Sequence, residues 1–163
     1  PVTANLIAQS GDLLSTSGEA YLPIPSGYVA VTVPTSEQVG VAGYVQNGDR
    51  ITMLATVDTA VFGQLPGSPV VRTVFRDVDV IRVGPAGSSS SNTNSSSLTL
   101  LMTGCDSEFL FWLLNNSTLK YVLESYKDYT AIPQQADASC PSVASDTGVG
   151  PKEVNARWSF TKS

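Results

Sequence analysis

Asp77-Val78-Asp79 sets two carboxylates two positions apart, which on an extended strand puts both on one face, at a spacing a metal ion or an acid/base pair could use. No third ligand or polarising partner stands nearby in sequence, so these acids read as solvated groups where a strand begins. Gly40-Val41-Ala42-Gly43, followed by Gly48, has the glycine density of a phosphate loop, but neither the P-loop Lys-Ser/Thr nor the GxGxxG spacing goes with it. Turn geometry accounts for these glycines better. Serines are abundant, yet there is no histidine and no SxxK arrangement, so no base is in place to activate a hydroxyl for acyl transfer. Losing histidine also removes the commonest metal ligand. The expectation is a chain with no catalytic residues, no metal site and no cofactor.

Tyr21, Tyr28, Tyr44, Tyr121, Tyr126 and Tyr129 could stack on sugars or peptide, although tyrosines in strand-rich chains more often fill the core and its rim. Asn94-Ser95-Ser96 and Asn115-Asn116-Ser117-Thr118 match the glycosylation pattern, a motif short enough to arise by chance; helix capping explains the second better. Cys105 and Cys140 stand too far apart for a CxxC motif, which leaves a structural disulfide or two buried thiols.

At 163 residues the chain has the length of one ordinary domain or two small ones. Charged residues make up 14% against a norm of roughly 25%, and 42% are hydrophobic, so a core can form and wholesale disorder is excluded. A net charge of -5 repels polyanions, so nucleic acid is not an expected partner. The longest apolar runs, Phe109 to Leu114 and Val29 to Val33, fall far short of the roughly 20 residues a membrane helix needs. The chain opens on Pro1, which reads as a processed product or a piece lacking an upstream signal or anchor.

Residues 1–21 show no sustained period and read as an irregular arm. Val29, Val31 and Val33 alternate with Tyr28, Ala30 and Thr32 between Pro25 and Pro34, the period of a strand. Ile51, Met53, Ala55 and Val57 repeat the pattern after Asn47-Gly48-Asp49, whose Asn-Gly step suits a tight turn with positive φ. Val70 to Phe75 and Val78 to Val83 read as two strands or one long bent one. Ser88 to Ser97, all Ser, Asn or Thr, read as a loop. Leu98, Leu100 and Met102 restart alternation. Asp106 is expected to cap a helix running through Leu114 and stopped by Asn115 and Asn116; being apolar on every face, it should be buried as a plug on one side of the sheet. Leu119, Tyr121 and Leu123 give another strand. Val154, Ala156, Trp158 and Phe160 alternate with polar residues and predict a final half-buried strand.

Pro25-Ser26-Gly27-Tyr28-Val29-Ala30-Val31, then Gly40-Val41-Ala42-Gly43, then Asn47-Gly48-Asp49-Arg50-Ile51 resemble, in order and spacing, the CpaB/RcpC family of Flp (tight-adherence) pilus assembly proteins. Val78 to Gly84 looks like that family's aliphatic strand closed by glycine, and Leu98 to Leu123 like its strand, helix and strand. The likeness covers roughly residues 20–126. Thr52 stands where the family has an aspartate after Gly-Asp-Arg, and Phe111 and Trp112 replace small helix residues.

The resemblance implies a mainly β or α+β chain: a SAF-like β-clip region followed by a small mixed sheet packed on one buried helix. It implies an N-terminal arm and SAF-like region over 1–57 and a strand-helix-strand region over 58–130; residues 131–163, an extension with one strand expected from its alternation, are left unassigned by it. The implied function is an extracytoplasmic, non-catalytic accessory factor in Flp pilus assembly, anchored in the cell envelope by a segment upstream and touching pilus assembly or secretin-type proteins. The alternatives are a carbohydrate or peptidoglycan-binding module and a non-catalytic domain of a sugar-processing enzyme. Tyr28, Tyr44 and Arg50 are the candidate contact residues, and Gly40, Gly43, Gly48 and Asp49 the structural turn. Asp49 is expected to serve turn hydrogen bonds, and Arg50 to be a strand-edge cation or a partner contact.

Overall fold

In a computed structural model of the chain, the described residues are 24–25, 27–35, 44–84, 97–128 and 148–162. The arm at 1–21, Gly40, Gly43, Cys140 and the Ser-rich loop up to residue 96 lie outside them.

Five strands form one sheet: β1 (Tyr28–Pro34), β2 (Arg50–Asp58), β3 (Pro69–Val83), β4 (Ser97–Thr103) and β5 (Thr118–Leu123). Their spatial order is β1-β4-β3-β2-β5. Every pairing is antiparallel, so the mixed sheet of the expectation gives way to an antiparallel one. β2 returns as the adjacent antiparallel β3 through a connection that holds a short 3-10 helix, Thr59–Phe62, while β1 meets β4 and β2 meets β5 across longer stretches of chain. The fold is mainly β with two helices, α1 (Gly104–Asn116) and α2 (Pro151–Trp158), in line with the α+β expectation.

Alternation decides which face is covered. Val31 and Val33 of β1, Ile51, Met53, Ala55 and Val57 of β2, Val80 of β3, Leu98 and Leu100 of β4, and Leu119 and Tyr121 of β5 are all buried on one side. The register puts Ala30, Leu101, Asp79 and Arg50 in one row across β1, β4, β3 and β2, on the opposite side. Between β2 and β5, Leu54 faces Lys120 and Thr52 faces Val122 on that same uncovered side.

The 15 residues of β3 form one long strand, the bent alternative of the sequence reading. Its pairing is irregular midway: the β2–β3 register shifts between Ile51 and Met53 and again between Met53 and Leu54, and Asp77 takes φ 56°, the left-handed region that side chains other than those of Asn and Asp resist.

Helix α1 starts earlier than expected. Thr103, extended at φ -72°, is the cap, its hydroxyl accepting from Asp106 N at 3.1 Å and donating to Asp106 Oδ2 at 2.8 Å. Asp106 therefore occupies the third helical position rather than the cap, still within the turn where a carboxylate meets unpaired N–H groups. The helix stops without left-handed asparagines: Ser117 is extended, and Asn115 and Asn116 donate back to the carbonyls of Phe111 and Trp112 at 2.8 and 2.9 Å. Phe109, Leu110 and Leu113 are buried, whereas Phe111 is half exposed, so the helix is covered on one side only and the all-round burial expected of it is not found.

The largest correction concerns the C-terminal segment. Residues from Val154 were expected as a strand and instead form α2. Pro151 sits in its first turn, where a missing N–H costs nothing, and Glu153 Oε2 accepts from Gly150 N at 2.9 Å. In a helix Val154 and Trp158 share a face four residues apart, which turns their apparent alternation into a buried stripe. Ser159 then takes φ 53° and ends the helix, delivering Phe160 into the core at 1% exposure. Phe160 stacks on Phe62 at 5.6 Å, and Trp158 meets Phe75 and Phe109 edge-on, each at 5.4 Å. Its indole N–H donates to Val74 O at 3.0 Å, so the ring is both packed and satisfied.

Candidate contact surface at the start of β2

The turn before β2 explains why charged residues converge there. Gly48, at φ 91°, lets the chain reverse, and Asp49 Oδ2 accepts from Gln46 N at 2.7 Å while Asp49 N donates to Gln46 O at 3.2 Å. Gly48 N then donates to Val80 O at 2.7 Å and Val80 N to Asp49 O at 2.8 Å, fixing the turn on β3 before β2 begins. That anchoring sets Arg50 opposite Asp79.

The guanidinium of Arg50 bridges both acids of the Asp77-Val78-Asp79 step: Nη1 lies 2.7 Å from Asp77 Oδ1 and Nε 3.0 Å from Asp79 Oδ1. The hydrogen bond that Arg50 donates to Asp77, with the attraction of both carboxylates, holds the Arg50 guanidinium above its ordinary value against a smaller opposing effect of burial. The partner that the sequence did not show for these acids therefore comes from the neighbouring strand, and the acids are not merely solvated.

A third carboxylate completes the cluster. Glu124 Oε1 accepts from Asp77 N at 2.9 Å and from the Thr52 hydroxyl, and Glu124 N donates to Arg50 O at 2.9 Å. Thr52, where the CpaB/RcpC pattern carries an aspartate, is thus a donor to a carboxylate; an acid in its place would set like charges together. Glu124 had no signal in the sequence, because its role depends on the β2–β5 register.

Chemically, the cluster is a cation held by two carboxylates, with a third on backbone and hydroxyl donors. It contains no nucleophile beside a base. Among the described residues no group of three or more His, Cys, Asp or Glu side chains is placed to hold a metal ion. What it can do is stiffen the β2–β3–β5 junction and present a fixed pattern of charge; Tyr44, which precedes the same turn in the chain, is 74% exposed.

Arg50, Asp49, Gly48 and Tyr44 are thus neighbours along one turn and strand start. Tyr28 is not among them: it opens edge strand β1, paired with Thr103, with β4 and β3 standing between it and β2. Cys105, in the first turn of α1, is 5% exposed and disulfide-bonded. No described helix is long and apolar enough to cross a membrane.

A family model described as Flp pilus assembly protein RcpC/CpaB matches residues 21–124. The chain belongs to the RcpC/CpaB family. With the family comes a role in Flp pilus assembly. The matched span takes in all five strands and α1 and ends at Glu124, the residue that closes the Arg50 cluster, so α2 and the core positions it fills lie beyond it. No curated protein and no solved structure matches significantly.

Proposed function

We propose that this chain is a non-catalytic accessory factor of the Flp pilus machinery, acting outside the cytoplasm by protein-protein contact. The family match over the whole sheet carries the reading. The physical support is a fixed framework: the turn at Gln46–Asp49 is pinned to β3, Arg50 is clamped by two carboxylates, and the exposed Tyr44 precedes that turn. Fixed side chains lose little freedom on docking, which favours recognition over turnover. Tyr44 supplies aromatic area and Arg50 with its acids supplies directional charge, the combination that anchors protein partners. Secretin-type proteins and other assembly components are the partners this reading names.

The test is a pull-down from envelope extracts of pilus-bearing cells with the soluble chain as bait. Recovery of a pilus or secretin component, reduced by Tyr44→Ala, is the expected result. Repeated failure under conditions that recover a control bait counts against it, and co-sedimentation with purified cell wall instead would transfer the function to glycan binding.

A further inference from the structure

A cleft of about 520 Å³ lies away from the Arg50 cluster, between the turn that follows β2 and the residues that follow α2. Its polar wall is Thr59, Gln64, Arg72, Thr161 and Lys162, and its apolar wall is Val70, Val71 and Phe160. Among the described residues no carboxylate lines it; the nearby Asp58 side chain accepts from Ala60 N at 2.9 Å. In a chain of net charge -5 this is a local concentration of positive charge and donors.

The walls are built. Thr59 N donates to Ser68 O at 2.9 Å and Ser68 N returns to the Thr59 hydroxyl at 2.9 Å, while Gln64 Nε2 reaches Thr161 O at 3.4 Å. Arg72 Nη2 donates to Ser159 O at 3.1 Å and to Lys162 O at 2.7 Å. Its Nε is buried and has no hydrogen-bond partner among the described residues, so these bonds leave the guanidinium incompletely satisfied. Beside it, β4 pairs with β3 only over Asp79–Val83, so among the described strands residues 69–77 of β3 carry β2 on one side alone; Val74 O in that stretch already accepts from the Trp158 indole, which leaves the edge from Pro69 to Thr73. An open strand edge receives extended peptide backbone.

We propose that this cleft binds the free α-carboxylate at the end of an extended peptide whose last side chain is apolar. The carboxylate sits with Arg72 and Lys162, the apolar side chain rests on Val70 and Phe160, and the backbone follows the open edge of β3. Arginine suits such an acceptor because its fork of donors matches a carboxylate. A free inorganic anion would gain nothing from the apolar wall or the strand edge, and this distinguishes the peptide from a simple ion.

The experiment titrates the full chain, by amide chemical shifts, with an N-acetylated tetrapeptide ending in valine, with its C-terminal amide and with acetate. The acid form should give saturable shifts at Arg72, Thr161 and Lys162, the amide should bind about tenfold more weakly, and acetate should give none at matched concentration. Because Arg72 also holds two carbonyls, the decisive variant is Lys162→Glu, an exposed side chain with no structural bond; it should weaken the acid form about fivefold with an unchanged thermal midpoint. Equal binding of acid and amide, equal response to acetate, unaltered affinity in Lys162→Glu, or no shift with any probe would each overturn the proposal. None of these outcomes bears on the envelope pull-down.

Discussion

Arg157 and Asp106 join the two helices: Nη2 of Arg157 lies 2.6 Å from Asp106 Oδ1, and its guanidinium carbon sits 4.6 Å from the centre of the Phe109 ring and 4.9 Å from that of Trp158. Both side chains are mostly covered, at 12% and 19% exposure, so water screens the pair weakly. The same Asp106 bonds the capping Thr103, so the contact that docks α2 also braces the start of α1. Arg157→Ala removes an ion pair and three aromatic contacts at once and leaves a partly buried carboxylate without its cation. We expect a loss of about 2–4 kcal/mol in urea unfolding. Arg157→Lys should recover only part of it, since an ammonium cannot lie flat among the rings.

Asp77 carries two duties that substitutions can separate. Its carboxylate pairs with Arg50, and its backbone adopts φ 56°, where Asn and Asp are tolerated and alanine is strained. Asp77→Ala should therefore cost about 2 kcal/mol, Asp77→Asn about 1 kcal/mol, and Asp77→Gly should fall between, because glycine relieves the backbone while losing the pair. The order, measured by chemical denaturation, is the test; alanine equal to asparagine would show that the backbone is not under constraint. Arg50 is held above the ordinary arginine value, so its share of this network is fully present below that range and is lost only as pH rises beyond it; the ranking should be the same at every pH near neutrality.

How much of this could be seen in the sequence follows from which interactions are local. The strand faces were legible: Val31 and Val33, or Ile51 through Val57, bury every second residue, and period two needs only its own segment to be read. The Arg50 cluster was half legible. Asp77 and Asp79 announced a charged face, but Arg50 and Glu124 reach them through register between strands distant in sequence, which no local pattern encodes. The α2 segment was misread because Val154, Ala156, Trp158 and Phe160 fit two periods at once. Pro151 and Glu153, an N-terminal signature of a helix, were the signal that could have decided it. The apolar run of α1 concealed its exposed side, since Phe111 looks no different in sequence from Phe109.

Tyr121 provides a pH test with a definite sign. Its phenol is buried, donates to Pro34 O at 3.1 Å, and is pushed up to about 12 from 10.0 by loss of solvent around the charged form. Below the unfolded value both states hold the proton and the contribution of Tyr121 to stability is complete. Between the two values the unfolded chain releases its proton and the folded one does not, so stability falls by about 1.4 kcal/mol per pH unit until the folded phenol ionises. Followed by the ultraviolet phenolate band, the titration should contain a late step that Tyr121→Phe removes. A late step that survives the substitution would assign it elsewhere.

Cys105 is disulfide-bonded, and the sequence offers one other cysteine, Cys140. Pairing of the two is the prediction, and an unreduced digest should yield the Cys105 and Cys140 peptides as one linked mass. Opening a loop of this size should cost about 3–4 kcal/mol. Cys105→Ala with Cys140→Ala should therefore lower the denaturation midpoint substantially, and two reactive thiols in the unreduced, denatured chain would contradict the pairing.

The family-matched span ends at Glu124, yet the core does not. Val154 at 0% and Phe160 at 1% exposure are as buried as any residue of the sheet, and Trp158 covers Phe75 and Phe109. A chain cut after residue 128 would present those rings, with Phe62 and Val70, to water, and each large apolar side chain so exposed forfeits about 2–3 kcal/mol. Global stability of a domain is itself only about 5–15 kcal/mol, so the truncated chain should bind a hydrophobic dye, aggregate, or melt far below the parent. Phe160→Ala is the milder version, expected to cost about 3–5 kcal/mol while leaving the strands in place. If the truncated chain unfolded at the same denaturant concentration as the parent, the C-terminal helix would be an ornament on a self-sufficient sheet; the packing of Phe160 against Phe62 and Trp158 argues that it is part of the core instead.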